Sequence, residues 1–137
     1  MLNRVIIGLG SNLDKEKNMA AAVRLLEDCF VSIRFSAAVY TEPVGMNNPA
    51  LFLNRVAVAF TSEEPDRLVA AFKQTERTLG RTTNGKSEGI IPIDIDLLQW
   101  NDLILKPEDL QREYVKAGIR FLQEVESGGH EKYKPNK

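Results

Sequence analysis

The sequence predicts an α+β domain of the ferredoxin-like type. In this arrangement a βαββαβ chain folds into an antiparallel sheet with both helices on one face, here followed by a C-terminal extension. Three observations predict it. Apolar residues alternate at Val31, Ile33, Phe35, Ala37 and Val39, at Val56, Val58 and Phe60, and at Ile93, Ile95 and Leu97, which is the period of half-buried strands. Two stretches, 14–28 and 64–79, carry their apolar residues at helical spacing. Strands and helices follow one another in the order of the split βαβ unit. Helices on one face leave the other open, and a ligand is expected there.

The first strand is the apolar run Arg4–Gly10, followed by a Gly-rich turn through Gly8, Gly10, Ser11 and Asn12. That turn could offer backbone N–H groups to an anion, or be a close-packed bend. It has neither the dinucleotide nor the Walker spacing. The first helix buries Met19, Ala22, Val23 and Leu26, with Asn12 or Asp14 available as its cap. Cys29, near its end, is expected to be a small buried residue. The second strand runs from Val31 to Tyr40. A loop with two prolines and the pair Asn47-Asn48 follows, then a third strand over 54–60. Pro65 opens the second helix and Gly80 ends it, with Leu68, Phe72, Thr75 and Leu79 as its buried stripe. A polar loop from Thr82 to Gly89 leads into the acidic strand. Asn101-Asp102 is a tight turn, with Leu103–Leu105 returning as a hairpin partner. Residues 106–125 are partly helical, so one domain covers 1–125. The polar stretch 126–137, which holds the lone His130, is expected to be a disordered tail without catalytic residues.

Composition narrows the function. The 137 residues suffice for one core, and 43% hydrophobic with 27% charged is ordinary for a soluble globular protein. A net charge of −1 gives no footprint for nucleic acid or an anionic membrane. The single cysteine excludes an internal disulfide framework and fits a reducing compartment. No apolar run reaches the length of a membrane span, and no signal peptide opens the chain. A cytoplasmic monomer is the expectation.

The chemistry points to the strand Ile90–Leu98. Alternation sends Ile93, Ile95 and Leu97 to one face and Asp94 and Asp96 to the other. Two residues of strand advance roughly 6.6–7 Å, so the two carboxylates converge. Like charges so close need a cation between them or a proton on one. Oxygen donors without His or Cys suggest magnesium completed by substrate phosphates. A solvent-facing strand edge also fits the spacing, but Asp is depleted in strands. Asn54, just inside the third strand, can donate and accept at once, which suits a flat heterocycle; local backbone satisfaction is the competing reading. Lys73, Glu76, Arg77 and Arg81 gather at the end of the second helix, where basic residues also complement its dipole.

Four stretches, in this order, carry a resemblance. They are Gly10-Ser11-Asn12-Leu13, Thr41-Glu42-Pro43-Val44-Gly45, Phe52-Leu53-Asn54, and Glu76 to Arg81 followed by Gly89 to Asp96. Over residues 4 to 105 the chain resembles the 6-hydroxymethyl-7,8-dihydropterin pyrophosphokinases of folate biosynthesis. These enzymes have the ferredoxin-like fold and move the terminal pyrophosphoryl group of ATP to the pterin's hydroxymethyl oxygen, leaving AMP. The resemblance implies that Asp94 and Asp96 hold two Mg²⁺ ions. It implies that Thr41, Pro43, Val44, Phe52 and Asn54 line the pterin pocket, that Lys73 and Glu76 lie near ATP, and that Arg81 lies over the phosphates.

The departures from the family pattern are specific. The family's arginine before the acidic strand is Ile91 here, a tryptophan is Glu88, and a second basic residue is Thr83. The Pro-His motif is absent from 110–115. Arg120-Phe121 matches a later arginine and aromatic residue, which would make Arg120 a catalytic cation. One lost phosphate-facing donor costs roughly 2.7–4 kcal/mol of barrier. Three readings therefore stand: a divergent Mg- and ATP-dependent pyrophosphokinase, a pterin- or nucleotide-binding paralogue with weak or no transfer, and a ferredoxin-like module for another ligand.

Overall fold

The computed structural model describes residues 1–42 and 51–126, with Lys86 described by its backbone alone. Its central strand, β1 (Asn3–Ser11), pairs antiparallel with β4 (Phe52–Thr61) on one side and β5 (Asp94–Trp100) on the other. β2 (Ser32–Phe35) and β3 (Val39–Thr41) both pair with β4, and β6 (Leu103–Ile104) pairs with β5. The class is α+β with an open antiparallel sheet, consistent with the ferredoxin-like expectation. On one face lie α1 (Lys15–Cys29) and α2 (Pro65–Thr78), whose Met19, Ala22, Leu26, Leu68 and Phe72 close on Val5, Ile7, Leu9, Ile95 and Leu97. The alternation expected of β5 holds. The Asn101 turn holds too, with Asn101 in the left-handed region at φ 50° and β6 returning beside β5.

The other face is not left open. α5 (Glu113–Glu126) lies across it, and Val115 and Leu122 pack on Ile6, Val56, Val58 and Leu98. A Cβ at Gly118 would meet Ser36 and Val56 Cβ atoms at 3.2 Å, so α5 approaches the sheet at glycine distance. Between β6 and α5 stands one short turn of helix, α4 (Pro107–Leu110).

Several local expectations change. The strand expected over Val31–Tyr40 is broken at Ser36. The Ser36 N–H donates to the Val56 carbonyl (2.8 Å), and its hydroxyl accepts the Val56 N–H (3.0 Å), so a side chain replaces backbone pairing. Three residues, 36–38, then stand opposite two, 55–56, between the paired segments. The Gly8–Asn12 turn is strand up to Ser11, and ladders on both sides take up its backbone groups instead of an anion. Ile90–Ile93 is not strand, since Pro92 has no N–H for a ladder. The 82–89 loop contains a short helix, α3 (Thr83–Ser87), whose Gly85 N–H donates to Thr82 Oγ1 at 2.9 Å. Cys29, expected inside, is exposed; as the last residue of α1 it leaves the inward positions to Leu26 and Phe30. Of the expected tail, 126–137, Glu126 is instead the last residue of α5, and 127–137 lie outside the described residues.

Candidate active site

The site grows out of the strand register. Gly10 of β1 is paired with Asn54 of β4 and with Asp94 of β5, and Asn54 is paired in turn with Val39 of β3. One row across the sheet therefore reads Val39, Asn54, Gly10, Asp94. The next row reads Val56, Gly8, Asp96. Adjacent strands lie about 4.8 Å apart, so Asn54 and Asp94 stand roughly 10 Å from each other at their backbones. The glycines between them are the floor. A Cβ at Gly10 would meet Asn54 Oδ1 at 3.0 Å and the Phe52 ring at 3.5 Å; at Gly8 it would meet Leu98 at 3.3 Å. Space, not backbone conformation, requires glycine here.

Above this floor is a cleft of about 170 Å³, walled by Thr41, Glu42, Phe52 and Asn54 at one end and Asp94, Asp96 and Leu98 at the other. Asp109, Arg112 and Tyr114 close it from the side of α4 and α5. Asn54 is buried and its Nδ2 donates to Thr41 Oγ1, which orients the amide and aims Oδ1 along the floor. Phe52 and Tyr114 supply an aromatic surface each.

The acidic end gathers two carboxylates on one strand face. Burial, the Asp94 charge and a hydrogen bond with Asp94 push the Asp96 carboxyl up to about 7, Lys106 pulling against them and Asp109 adding to them. Asp96 therefore takes up a proton more readily than an ordinary carboxyl in the metal-free protein, and a divalent cation offers the same neutralisation. Two convergent carboxylates are the usual protein share of a magnesium site completed by phosphates. No group of three or more His, Cys, Asp or Glu placed for a metal occurs among the described residues. The set fits Mg²⁺ on a nucleotide better than a metal held by protein donors alone.

Behind β5 stands a brace. Arg81 Nη1 donates to Asp94 Oδ1 (3.0 Å) and to the Ile93 carbonyl (2.9 Å), and lies 3.6 Å from Glu76 Oε2. That Glu76 oxygen accepts the Ile95 N–H at 2.7 Å. Burial raises the Glu76 carboxyl while the Ile95 N–H pulls it down. Arg81→Ala is expected to cost about 1.5–3 kcal/mol of stability, the worth of charged hydrogen bonds of this kind; thermal denaturation of the metal-free protein checks it.

Of the residues singled out in the sequence, Thr41, Phe52, Asn54, Asp94 and Asp96 line the cleft, while Glu76 and Arg81 support it from behind. Lys73 is exposed on α2 and reaches Glu76 only through its charge. Pro43 and Val44 lie outside the described residues. Arg120 does not line the cleft: it is exposed on α5, whereas Arg112, just before the start of that helix, does line it. Arg112, Tyr114 and Asp109 were not singled out. For Tyr114 the signal is burial on α5, where it packs against the Val115–Leu122 cluster while Phe121 is 55% exposed; Asp109, on α4, and Arg112, between the helices, carry no such signal.

An open antiparallel sheet thus carries an amide-bearing pocket at one end of a cleft and a carboxylate pair at the other. The chain matches the family model described as 7,8-dihydro-6-hydroxymethylpterin-pyrophosphokinase over residues 6–124. It is 36% identical over 128 residues to the 2-amino-4-hydroxy-6-hydroxymethyldihydropteridine pyrophosphokinase of Porphyromonas gingivalis, covering 84% of this chain and 87% of that one. With the enzyme of the same name from Bacillus subtilis it shares 35% over 113 residues, 80% of this chain and 67% of the relative. With the folate synthesis bifunctional protein of Arabidopsis thaliana it shares 35% over 138 residues, 93% of this chain but 28% of the plant protein, so it spans about a quarter of that relative. The chain belongs to the 7,8-dihydro-6-hydroxymethylpterin-pyrophosphokinase family.

Proposed function

We propose that this protein transfers the pyrophosphoryl group of ATP to the hydroxymethyl oxygen of 6-hydroxymethyl-7,8-dihydropterin, releasing AMP, in folate biosynthesis. The observation that carries the proposal is the row Asn54–Gly10–Asp94, which puts an oriented amide and a carboxylate on either side of a glycine floor. Asn54 Oδ1 accepts from the amino–amide edge of the pterin, and Phe52 and Tyr114 offer faces to its rings. The hydroxymethyl group then points at Asp94 and Asp96. Asp94 and Asp96 would hold Mg²⁺ there, two ions in this reading, and the bound metal would supply charge neutralisation at the phosphates. Arg112, a cation that lines the same cleft, stands in for the side chain absent at Ile91, a position that is buried at 5% exposure. The proposal includes a monomer working in the cytoplasm on small molecules rather than nucleic acid. It is supported by the near-neutral net charge of −1, and no helix among the described residues is long and apolar enough to cross a membrane.

The test is AMP release from ATP with and without the pterin, in the presence of magnesium. AMP formed only with both substrates supports the proposal; saturable pterin binding with no AMP supports a binding paralogue instead. Within the same assay, Asn54→Ala is expected to raise the pterin KM by roughly 10–100-fold, the cost of about 1.5–3 kcal/mol for a lost hydrogen bond that leaves a buried partner. The KM for ATP stays within about twofold, because Asn54 stands at the end of the cleft away from Asp94 and Asp96.

A further inference from the structure

We infer that Asn12 is a positioning residue that ties the end of β1 to the segment delivering Asp94 and Asp96. Asn12 follows β1 directly and is 7% exposed. Continuing the β1–β5 register past Gly10 and Asp94 would set Asn12 opposite Pro92, which has no N–H to give. The ladder fails there, and Asn12 replaces it. Its backbone N–H donates to the Ile91 carbonyl at 2.9 Å. Its Nδ2 donates to the Gly89 carbonyl at 2.7 Å, and its Oδ1 accepts the Ile91 N–H at 2.7 Å.

The tether belongs to a larger pattern. Alternate carbonyls of the approach to β5, those of Gly89, Ile91 and Ile93, are held by Asn12 Nδ2, the Asn12 N–H and Arg81. Gly89 adopts φ 78°, the left-handed conformation that turns the chain out of α3, and the Asn12 bond fixes that turn. Asp94 lies three residues beyond Ile91. Asn12 plays no part in capping α1, which starts at Lys15 after an Asp14 that makes no side-chain cap. Reacting groups displaced by about 1 Å lose on the order of 10²-fold in rate. A tether of this kind therefore acts on turnover and not on the pterin pocket, whose Asn54 and Thr41 stand on β4 and β3.

This inference rests on the transferase reading above. Its test compares Asn12→Ala and Asn12→Asp with the wild type in AMP release, magnesium half-saturation, pterin KM, and exchange protection of the Ile91 amide. Asn12→Ala is expected to lower kcat by about 10–100-fold and to raise the magnesium half-saturation, with pterin KM within about threefold and Ile91 protection lost. Asn12→Asp keeps the acceptor for the Ile91 N–H but not the donor to Gly89, so it keeps that protection and falls between the two in kcat. If Asn12→Ala does not fold, a fall in kcat at constant pterin KM in Asn12→Asp carries the inference alone. An unchanged kcat in the variant that folds overturns it, and so does a parallel loss of kcat and pterin affinity. Should the wild type release no AMP, the transferase reading fails, while intact Ile91 protection in Asn12→Ala would separately show that the tether does not exist.

Discussion

Replacing Asp94 and Asp96 together by alanine is expected to lower AMP release by at least about 10³-fold, while pterin binding stays within a few-fold of the wild type. The first figure follows from the work asked of the pair. Each 1.36 kcal/mol of lost transition-state stabilisation costs tenfold in rate, and bound metal at a transferring phosphoryl group supplies several kcal/mol. The protein's own part is to hold both carboxylates on one strand face and to keep Asp94 aimed, through Arg81 Nη1 at 3.0 Å. The second figure follows from the register: Asn54 and Thr41 stand on β4 and β3 and share no hydrogen bond with either acid. Binding of the pterin measured by fluorescence beside turnover separates the two. If the double variant turned over within tenfold of the wild type, the cations would have to be held elsewhere. If it lost pterin binding as well, the cleft would not be divided into two ends.

What the sequence made legible depended on how local the cause was. The alternation of Ile93, Ile95 and Leu97 with Asp94 and Asp96 is a property of neighbouring residues, and the structure keeps it. Asn54 was readable as an amide at a strand end, although its partner Thr41 lies 13 positions away. Ser36 was hidden because apolar alternation runs through it undisturbed; the break comes from a hydroxyl capturing the N–H of Val56, 20 positions distant. Asn12 looked like a helix cap because a cap is the local use of an asparagine before a helix, whereas its partners are 77 and 79 positions away. The pairs Arg112/Tyr114 and Arg120/Phe121 look alike in type. Only the face of α5 turned to the sheet distinguishes them, and that face is set by Val115, Gly118 and Leu122 meeting residues of β1, β4 and β5.

Asp96→Asn is expected to make the metal-free protein more stable at pH 7.5 while lowering turnover by about 10³-fold, so that the same carboxyl is a liability to the fold and a requirement of the reaction. The sign follows from linkage. The Asp96 carboxyl is raised from 3.8 to about 7 in the folded protein, first by burial and then by Asp94. Between about pH 4 and 7 the folded state binds more protons at this site than the unfolded state, so stability falls as pH rises through that window. The full effect is on the order of 2–4 kcal/mol, lost by pH 7.5. Asparagine cannot ionise, and its amide can still donate to Asp94, so the variant escapes the loss. Thermal unfolding without metal should therefore show a wild type that gains stability from pH 7.5 down to 5, a variant with a flatter profile, and curves that approach each other at the acid end. Magnesium should raise the melting temperature of the wild type most at pH 7.5, where the carboxylates are least protonated, and the variant little at any pH. A variant less stable than the wild type at pH 7.5, or one with the same slope, would mean that the protonation of Asp96 is not what limits the metal-free fold.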